Sequence, residues 1–379
     1  MDHHFLTRFP SFCGRGNESC RKLSQEAVRS ANNGGQPHSC PSLSSPNSLA
    51  SELSSLGPLT VYKHSAMACD FEVAVNETDA AREEPFQVFD LIDEQEEMLS
   101  IFKPTSLVSR INTLAAEMEV VLPTHLFNHL LLCRQLWEET EGAFDVTAST
   151  LWKLWGFAKG EGRVPTQNEI NDALKKIGMN HLIFNQERQA VSFDSPGVEI
   201  NFGGIGKGLA LDHAGLYLDD SSLTHYLIHG GMSSAIARGG RCGDQCTGKN
   251  EKPRCCWTIG VADPLCPQQR IASISLCDEA VGTGGSGRQF FFYKGKRLSH
   301  IIDPQTGYPA TGVLSSTVVA PSAAAADALS TAFFVMGADK TEKFAQTHPD
   351  CSILLVLDKN GGKEEIVTFN FKDSHYIPM

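Results

Sequence analysis

No stretch of this chain stays apolar for the roughly 20 residues that a bilayer-crossing helix needs, so no membrane span is expected. The first ten residues, Met1 to Pro10, contain no apolar h-region of the kind a secretory signal requires, which predicts a cytoplasmic protein. Basic clusters are missing as well. The 32 Lys and Arg stand against 44 Asp and Glu, for a formal charge of −12, and without a basic stripe nucleic acid is not an expected partner. No internal period points to a solenoid. Two familiar nucleotide signatures are present only in broken form. The loop Ile200 to Gly208 follows Lys207 with Gly208 rather than Ser or Thr, so it is not a Walker A loop, and the third glycine of the dinucleotide fingerprint falls on Leu209. Gly282 to Gly287 does spell G-x-G-x-x-G, but the segment after it, Arg288 to Tyr293, reads as strand where that fingerprint demands a helix.

Cysteine, by contrast, is plentiful, with 12 residues. Without an export signal these read mostly as free thiols or metal ligands rather than a disulfide framework. Cys242, Cys246, Cys255 and Cys256, with Cys266 beyond, lie in or near a polar insertion at about 239–256 whose spacing fits no standard zinc module. A surface insertion with incidental thiols and a small metal or redox site both remain open.

Residues 1–56 are rich in Ser, Asn, Gly and Pro and poor in large apolar side chains, so they cannot repay their ordering entropy and are expected to form a disordered leader. The folded domain is placed at 57–379. Helical spacing is expected over 86–99, 126–140, 168–177 and 207–218, and strand-like runs at 59–62, 71–75, 182–184, 190–193, 198–200, 226–229, 234–237, 257–261, 271–276, 289–293, 313–320 and 352–357. Strands and helices interleave without strict βαβ alternation, which points to an α+β fold.

Four segments carry chemistry. Ser299 to Pro309 delivers His300 from a strand-like run and breaks at Asp303-Pro304, where the ring fixes φ and restrains the residue before it. The imidazole is either a general base or a satisfied structural histidine. Pro321 to Gly337 reads as a buried helix, N-capped by Ser322 and stopped at Gly337. Its polar exceptions, Asp327 and Thr331, share a face at i and i+4. A buried carboxylate needs a partner, and no cation stands in that helix. The pair is either bonded to neighbouring backbone or holds a metal ion, and hard oxygen ligands favour Mg²⁺ over zinc. The glycine loop Ile200 to Gly208 joins strand to helix, suiting either tight packing or a phosphate on free helix amides. Gly142 to Thr147, followed by Leu151 to Phe157, is aromatic-rich and reads as core or as a platform for a flat ring.

Together these segments resemble the FAD:protein FMN transferase family, also called ApbE-like, from about Tyr62 to about Phe369. The resemblance rests on Gly142 to Thr147 with Leu154 to Phe157, Asn201 to Gly208 with Asp212, Ala280 to Thr283, Ser299 to Pro309, and Ala320 to Thr331 with Phe334. It implies a single compact α+β domain related to the T-fold, with FAD as substrate and Mg²⁺ as cofactor. It also implies transfer of FMN to a Ser or Thr hydroxyl of an acceptor flavoprotein subunit, releasing AMP. By the same resemblance His300 is the catalytic base, and Gly204 (through its backbone), Asp327 and Thr331 hold the metal. Met67, Phe102, Ala143, Phe144, Asp145, Asn201, Lys207 and Ile301 line the FAD site. Three positions depart from the family pattern: Phe102 replaces a usual tyrosine, Met232 an aspartate, and Gly284 a serine. An Mg²⁺-dependent FAD pyrophosphatase and a non-catalytic FAD-binding protein are the alternative readings.

Overall fold

The computed structural model describes residues 58–76, 79, 82–241, 256–285, 289–359, 364–372 and 376–379, so the expected leader and Cys242, Cys246 and Cys255 lie outside the described residues. Gly57–Met379 forms one compact unit.

The chain opens with β1 (Leu59–Ala66) and β2 (Cys69–Asn76), followed by helices α1 (Glu84–Leu99) and α2 (Leu107–Leu114). Next come β3 (Val120–Val121), α3 (Thr124–Glu139), α4 (Ser149–Leu154), α5 (Gln167–Leu174), β4 (Leu182–Asn185) and β5 (Ala190–Phe193). Helix α6 (Gly206–Asp219) leads to β6 (Tyr226–Gly230), β7 (Ser234–Arg238), β8 (Trp257–Ala262), β9 (Arg270–Leu276) and β10 (Ala280–Gly285). The hairpin β11 (Phe290–Tyr293) and β12 (Lys296–Ser299) precedes β13 (Val313–Ala320) and the long α7 (Ala323–Thr347). The chain closes with β14 (Ser352–Asp358), β15 (Glu364–Phe369) and β16 (Tyr376–Pro378).

An eight-stranded sheet in the order β1-β2-β6-β7-β10-β13-β14-β15 organises the domain, and its described pairings are antiparallel. Side chains alternate between its faces, as the pleat requires. Val73, Val75, Ile228, Ile236 and Ala280 pack with α1 and α6 on one face. Ala74, Ala235, Ala237, Val281, Val319 and Leu354 pack with Trp257, Ile274 and Leu276 on the other, under the small sheet β16-β9-β8. Helix α7 lies in the largest core cluster, with α2, α3 and Phe144. This mixture of helices with an antiparallel sheet is the α+β architecture expected.

Three expectations are corrected here. Val198–Ile200 is extended but not a strand: the side chain of Asn112 takes the place of a neighbouring strand, its Nδ2 donating to the Ile200 carbonyl (2.9 Å) and its Oδ1 accepting from the Ile200 N–H (2.8 Å). Gly337 does leave helical geometry (φ 72°, ψ −178°), but it is a kink and not a stop; the helix resumes to Thr347 because Thr341, Phe344 and Ala345 are buried. The cysteines are not uniformly thiols, since Cys256 and Cys277 form a disulfide. Trp257 pairs with Leu276 in the β8–β9 ladder, so these two cysteines occupy the next facing positions. Among the described residues no group of three or more His, Cys, Asp or Glu is arranged to hold a metal ion, and the small metal-site reading of the insertion gains nothing there.

Candidate functional site

The site is assembled by a seam of small residues. The run Ala323–Ala326 opens α7, and three glycines let it lie flush against its neighbours. A Cβ on Gly208 would stand 2.2 Å from the Ala323 carbonyl oxygen, one on Gly282 2.4 Å from the Ala326 carbonyl carbon, and one on Gly284 2.9 Å from the Ser330 carbonyl oxygen. No side chain fits in such gaps. Close packing against α7 therefore accounts for Gly208 and Gly282. Gly204 and Gly206 differ, since a Cβ on either would find only ordinary contacts, the nearest at 3.5 and 3.4 Å.

The seam carries Asp327 to the first turn of α6. Its Oδ2 accepts from the Gly208 N–H (2.8 Å) and its Oδ1 from the Ser234 hydroxyl (2.6 Å). Burial pushes this carboxyl above its ordinary pKa, opposed by nearby Lys207 and by the two hydrogen bonds. The buried acid thus has partners, supplied by residues distant in sequence. Thr331, one turn on, is half-buried, its hydroxyl 3.4 Å from the Asp327 carbonyl. A Cβ on Gly204 would stand 3.5 Å from both Thr331 Oγ1 and Phe144 Cε2, so these three residues meet.

The start of α7 is held from α6. The Asp212 carboxylate accepts from the Ser322 hydroxyl (2.7 Å) and from the Ala323 (2.7 Å) and Ala324 (2.9 Å) amides, while Ser322 caps the Ala325 N–H. A helix start with unpaired amides finds its acceptors here. Met67 approaches from the β1–β2 hairpin, where Met67 (φ 50°) and Ala68 (φ 59°) form the two-residue turn. Left-handed backbone at non-glycine residues costs ~1 kcal/mol or more each. Met67 Cε lies 3.4 Å from where a Gly206 Cβ would be.

His300 leaves β12 on a well-tied loop. Asp303 accepts from the Gln305 N–H (2.8 Å) and the Thr306 hydroxyl (2.9 Å), and the buried Trp155 indole donates to the Gly307 carbonyl (2.8 Å). Gly307 is required, since at φ +75° a Cβ would stand 2.5 Å from Ile170. Trp155 is thus core, with Trp152 partly buried against the same cluster, in line with one of the two sequence readings. The half-buried imidazole has Nδ1 3.0 Å from the Gln289 carbonyl. A carbonyl only accepts, so Nδ1 carries the hydrogen and Nε2 presents a lone pair. Burial lowers the pKa of His300, the Gln289 contact opposes that, and Lys207 lowers it further. Lys207 acts electrostatically on both His300 and Asp327, which links the loop to the helix seam.

The structure therefore gathers Gly204, Thr331 and Phe144, seats Asp327 on the Gly208 amide and sets Met67 on Gly206, while the charge of Lys207 acts on both His300 and Asp327. Ala143, Phe144 and Ile301 are buried in the main core. Asn201 turns back on the loop, its Oδ1 accepting from the Gly203 N–H (2.9 Å). Asp145 is held by the Trp137 indole (3.0 Å) and by the Thr147 N–H (2.7 Å) and hydroxyl (2.5 Å); burial pushes its pKa up to about 6 against those bonds. Phe102 stands apart, 75% exposed. The first-turn amides Gly206 and Gly208 are engaged by Phe202 and Asp327, so they offer a ligand only their dipoles. Sequence reasoning missed Ser234 and the capping role of Asp212. Each stands beside a second polar residue, Ser233 and His213, so neither stood out as Asp327 did in its alanine run.

Known proteins resemble this chain over most of its length. A FAD:protein FMN transferase of Klebsiella pneumoniae (strain 342) is 28% identical over 332 residues, covering 86% of this chain and 92% of that protein. One of Treponema pallidum (strain Nichols) is 32% identical over 293 residues, covering 74% and 78%. Among solved structures, the ApbE protein of Thermotoga maritima superimposes with a TM-score of 0.71 at 30% identity, over 81% of this chain and 96% of that one. The apo flavinyl transferase ApbE of Pseudomonas stutzeri gives 0.70 at 25% identity, over 83% and 95%. Residues 67–355 match the ApbE family as a whole, spanning the glycine loop, the histidine loop and the helix seam, and the chain belongs to that family.

Proposed function

We propose that this protein transfers the FMN half of FAD to a Ser or Thr hydroxyl of an acceptor flavoprotein subunit and releases AMP. The acceptor oxygen forms a bond to the phosphorus on the riboflavin side of FAD, the bond from that phosphorus to the AMP oxygen breaks, and the hydroxyl proton passes to His300 Nε2. The observation that carries this reading is the His300 ring at the end of β12, its Nδ1 3.0 Å from the Gln289 carbonyl, with burial and the charge of Lys207, which also acts on Asp327, lowering its pKa. A base of this kind contributes ~10²–10⁴-fold. Lys207 supplies fixed positive charge beside the diphosphate, and Phe144 and Met67 shape the floor of the glycine loop.

The donor set suits Mg²⁺. Asp327 retains a lone pair on each carboxylate oxygen beyond its two hydrogen bonds, and the Thr331 hydroxyl and Gly204 carbonyl add hard oxygens. One carboxylate with neutral oxygens, completed by substrate phosphates, is a usual way to bind this ion. When bound there it would neutralise the diphosphate and stabilise the leaving phosphate.

The test is incubation with FAD, Mg²⁺ and a flavoprotein subunit carrying an acceptor threonine, followed by in-gel flavin fluorescence of the denatured subunit. A labelled band is expected. Free FMN and AMP without a labelled band would instead make the protein a pyrophosphatase, and intact FAD would make it a carrier. His300→Asn should keep FAD affinity and lose the band; normal turnover in that variant would remove His300 from the chemistry.

A further inference from the structure

The ribbon β11–β12 lies outside the main sheet and ends at His300, and its two faces are not alike. Phe291 and Leu298, opposite one another in register, turn inward and pack on the cluster of Leu151, Trp155, Phe157 and Ile302. Phe291 sits 5.5 Å from Phe157, which in turn stands 6.3 Å from the His300 ring. The ribbon is therefore anchored beside the candidate base. On the other face Phe290 is 39% and Phe292 69% exposed, in edge-to-face contact at 5.6 Å, and the Arg297 guanidinium lies 3.9 Å over the Phe290 ring. Exposed aromatics stacked with a guanidinium are the residue types that dominate interface energetics. From Gln289 to His300 the sequence carries Lys294, Lys296 and Arg297 and no acid, in a chain whose formal charge is −12. Among the described residues neither strand pairs with a third.

We propose that this outer face and its open edge dock the acceptor protein, through an extended, acidic segment that carries the hydroxyl to be modified. The proposal rests on the transfer reading above. Charge selects the partner: a local concentration of cations attracts an acidic segment of chain. An open strand edge offers main-chain hydrogen bonds to an extended peptide, and the aromatic face holds alternate side chains. Position supplies the rest. Phe292 is three residues from Gln289, about 10 Å along a strand, so a segment lying on the ribbon runs to the Gln289–His300 contact within a few residues.

Steady-state transfer to the same threonine-bearing subunit, with its concentration varied at saturating FAD, tests this. Phe292→Ser is expected to raise the acceptor KM about tenfold, with kcat and FAD affinity unchanged. Lys294→Glu should raise it too and flatten its dependence on salt, whereas Phe292→Tyr should restore the wild-type value and so exclude a folding defect. An acceptor KM within twofold of wild type in both Phe292→Ser and Lys294→Glu overturns the proposal. So does a loss of FAD affinity, which would make the ribbon part of the nucleotide site. Binding of wild-type protein, but not Phe292→Ser, to phosphatidylserine vesicles with KM unchanged would make it a membrane face instead. A wild-type enzyme that never labels the subunit overturns the transfer reading and this proposal with it. Labelling with an unchanged KM overturns the docking surface alone.

Discussion

Replacing Asp212 by Ala strikes the joint on which the site hangs. The carboxylate serves three donors, the Ser322 hydroxyl and the Ala323 and Ala324 amides, and the two amides belong to the unpaired first turn of α7. Each buried donor left without an acceptor costs about 1–3 kcal/mol. The wild-type carboxylate does not deliver that stabilisation whole, because burial pushes its pKa upward against the three hydrogen bonds. The Ser322 hydroxyl can also turn elsewhere. A net loss of about 2–3 kcal/mol is the expected outcome, somewhat above the ordinary cost of a lost helix cap. Urea unfolding followed by tryptophan fluorescence would measure it as a lower midpoint at unchanged slope. Activity should fall further than stability alone explains, because Asp327 lies only one turn beyond the Ala323 and Ala324 amides that Asp212 holds. A variant within about 0.5 kcal/mol of wild type, the usual range for a surface change, would show that water replaces the carboxylate and that the joint is not structural.

Three further outcomes follow from the same geometry. The pKa of His300 is lowered from the ordinary value, about 6.5, and transfer needs the neutral ring, so kcat/KM should lose activity only below pH 6.5; an acid limb above pH 7 would contradict this environment. Gly208→Ala should destabilise, since overpacking costs about 1–3 kcal/mol against the ~1 kcal/mol that alanine gains in helix propensity, and the added methyl meets the Ala323 carbonyl; a raised melting temperature would refute the packing account of this glycine. Cys277→Ser opens a loop with a sequence separation of 21. The loop-closure relation puts that bond at about 3 kcal/mol, so a urea midpoint equal to that of the oxidised wild type would show that the bridge contributes nothing.

Local signals in the sequence were readable where the physics is local. Ser322 caps the helix it precedes, and the alternation of apolar residues in the central strands matches the two faces of the sheet. The misreadings share one cause. Val198–Ile200 has the composition of a strand, but its partner is the side chain of Asn112, 88 residues away. The expectation of mostly thiols or metal ligands misses the Cys256–Cys277 bridge, because the ladder register that pairs these two is invisible in the letters. Asp327 shows the same limit most sharply. Its need for a partner was legible from burial alone, but the partners are Ser234 and Gly208, 93 and 119 residues distant, so the missing cation alone did not require a metal. Gly204 and Gly208 complete the point: four residues apart in one glycine loop, a Cβ on one would make ordinary contact with Thr331 and Phe144, and on the other it would collide with the Ala323 carbonyl. A glycine with ordinary room beside it and a glycine pressed against a helix are the same letter, and only the atom opposite distinguishes them.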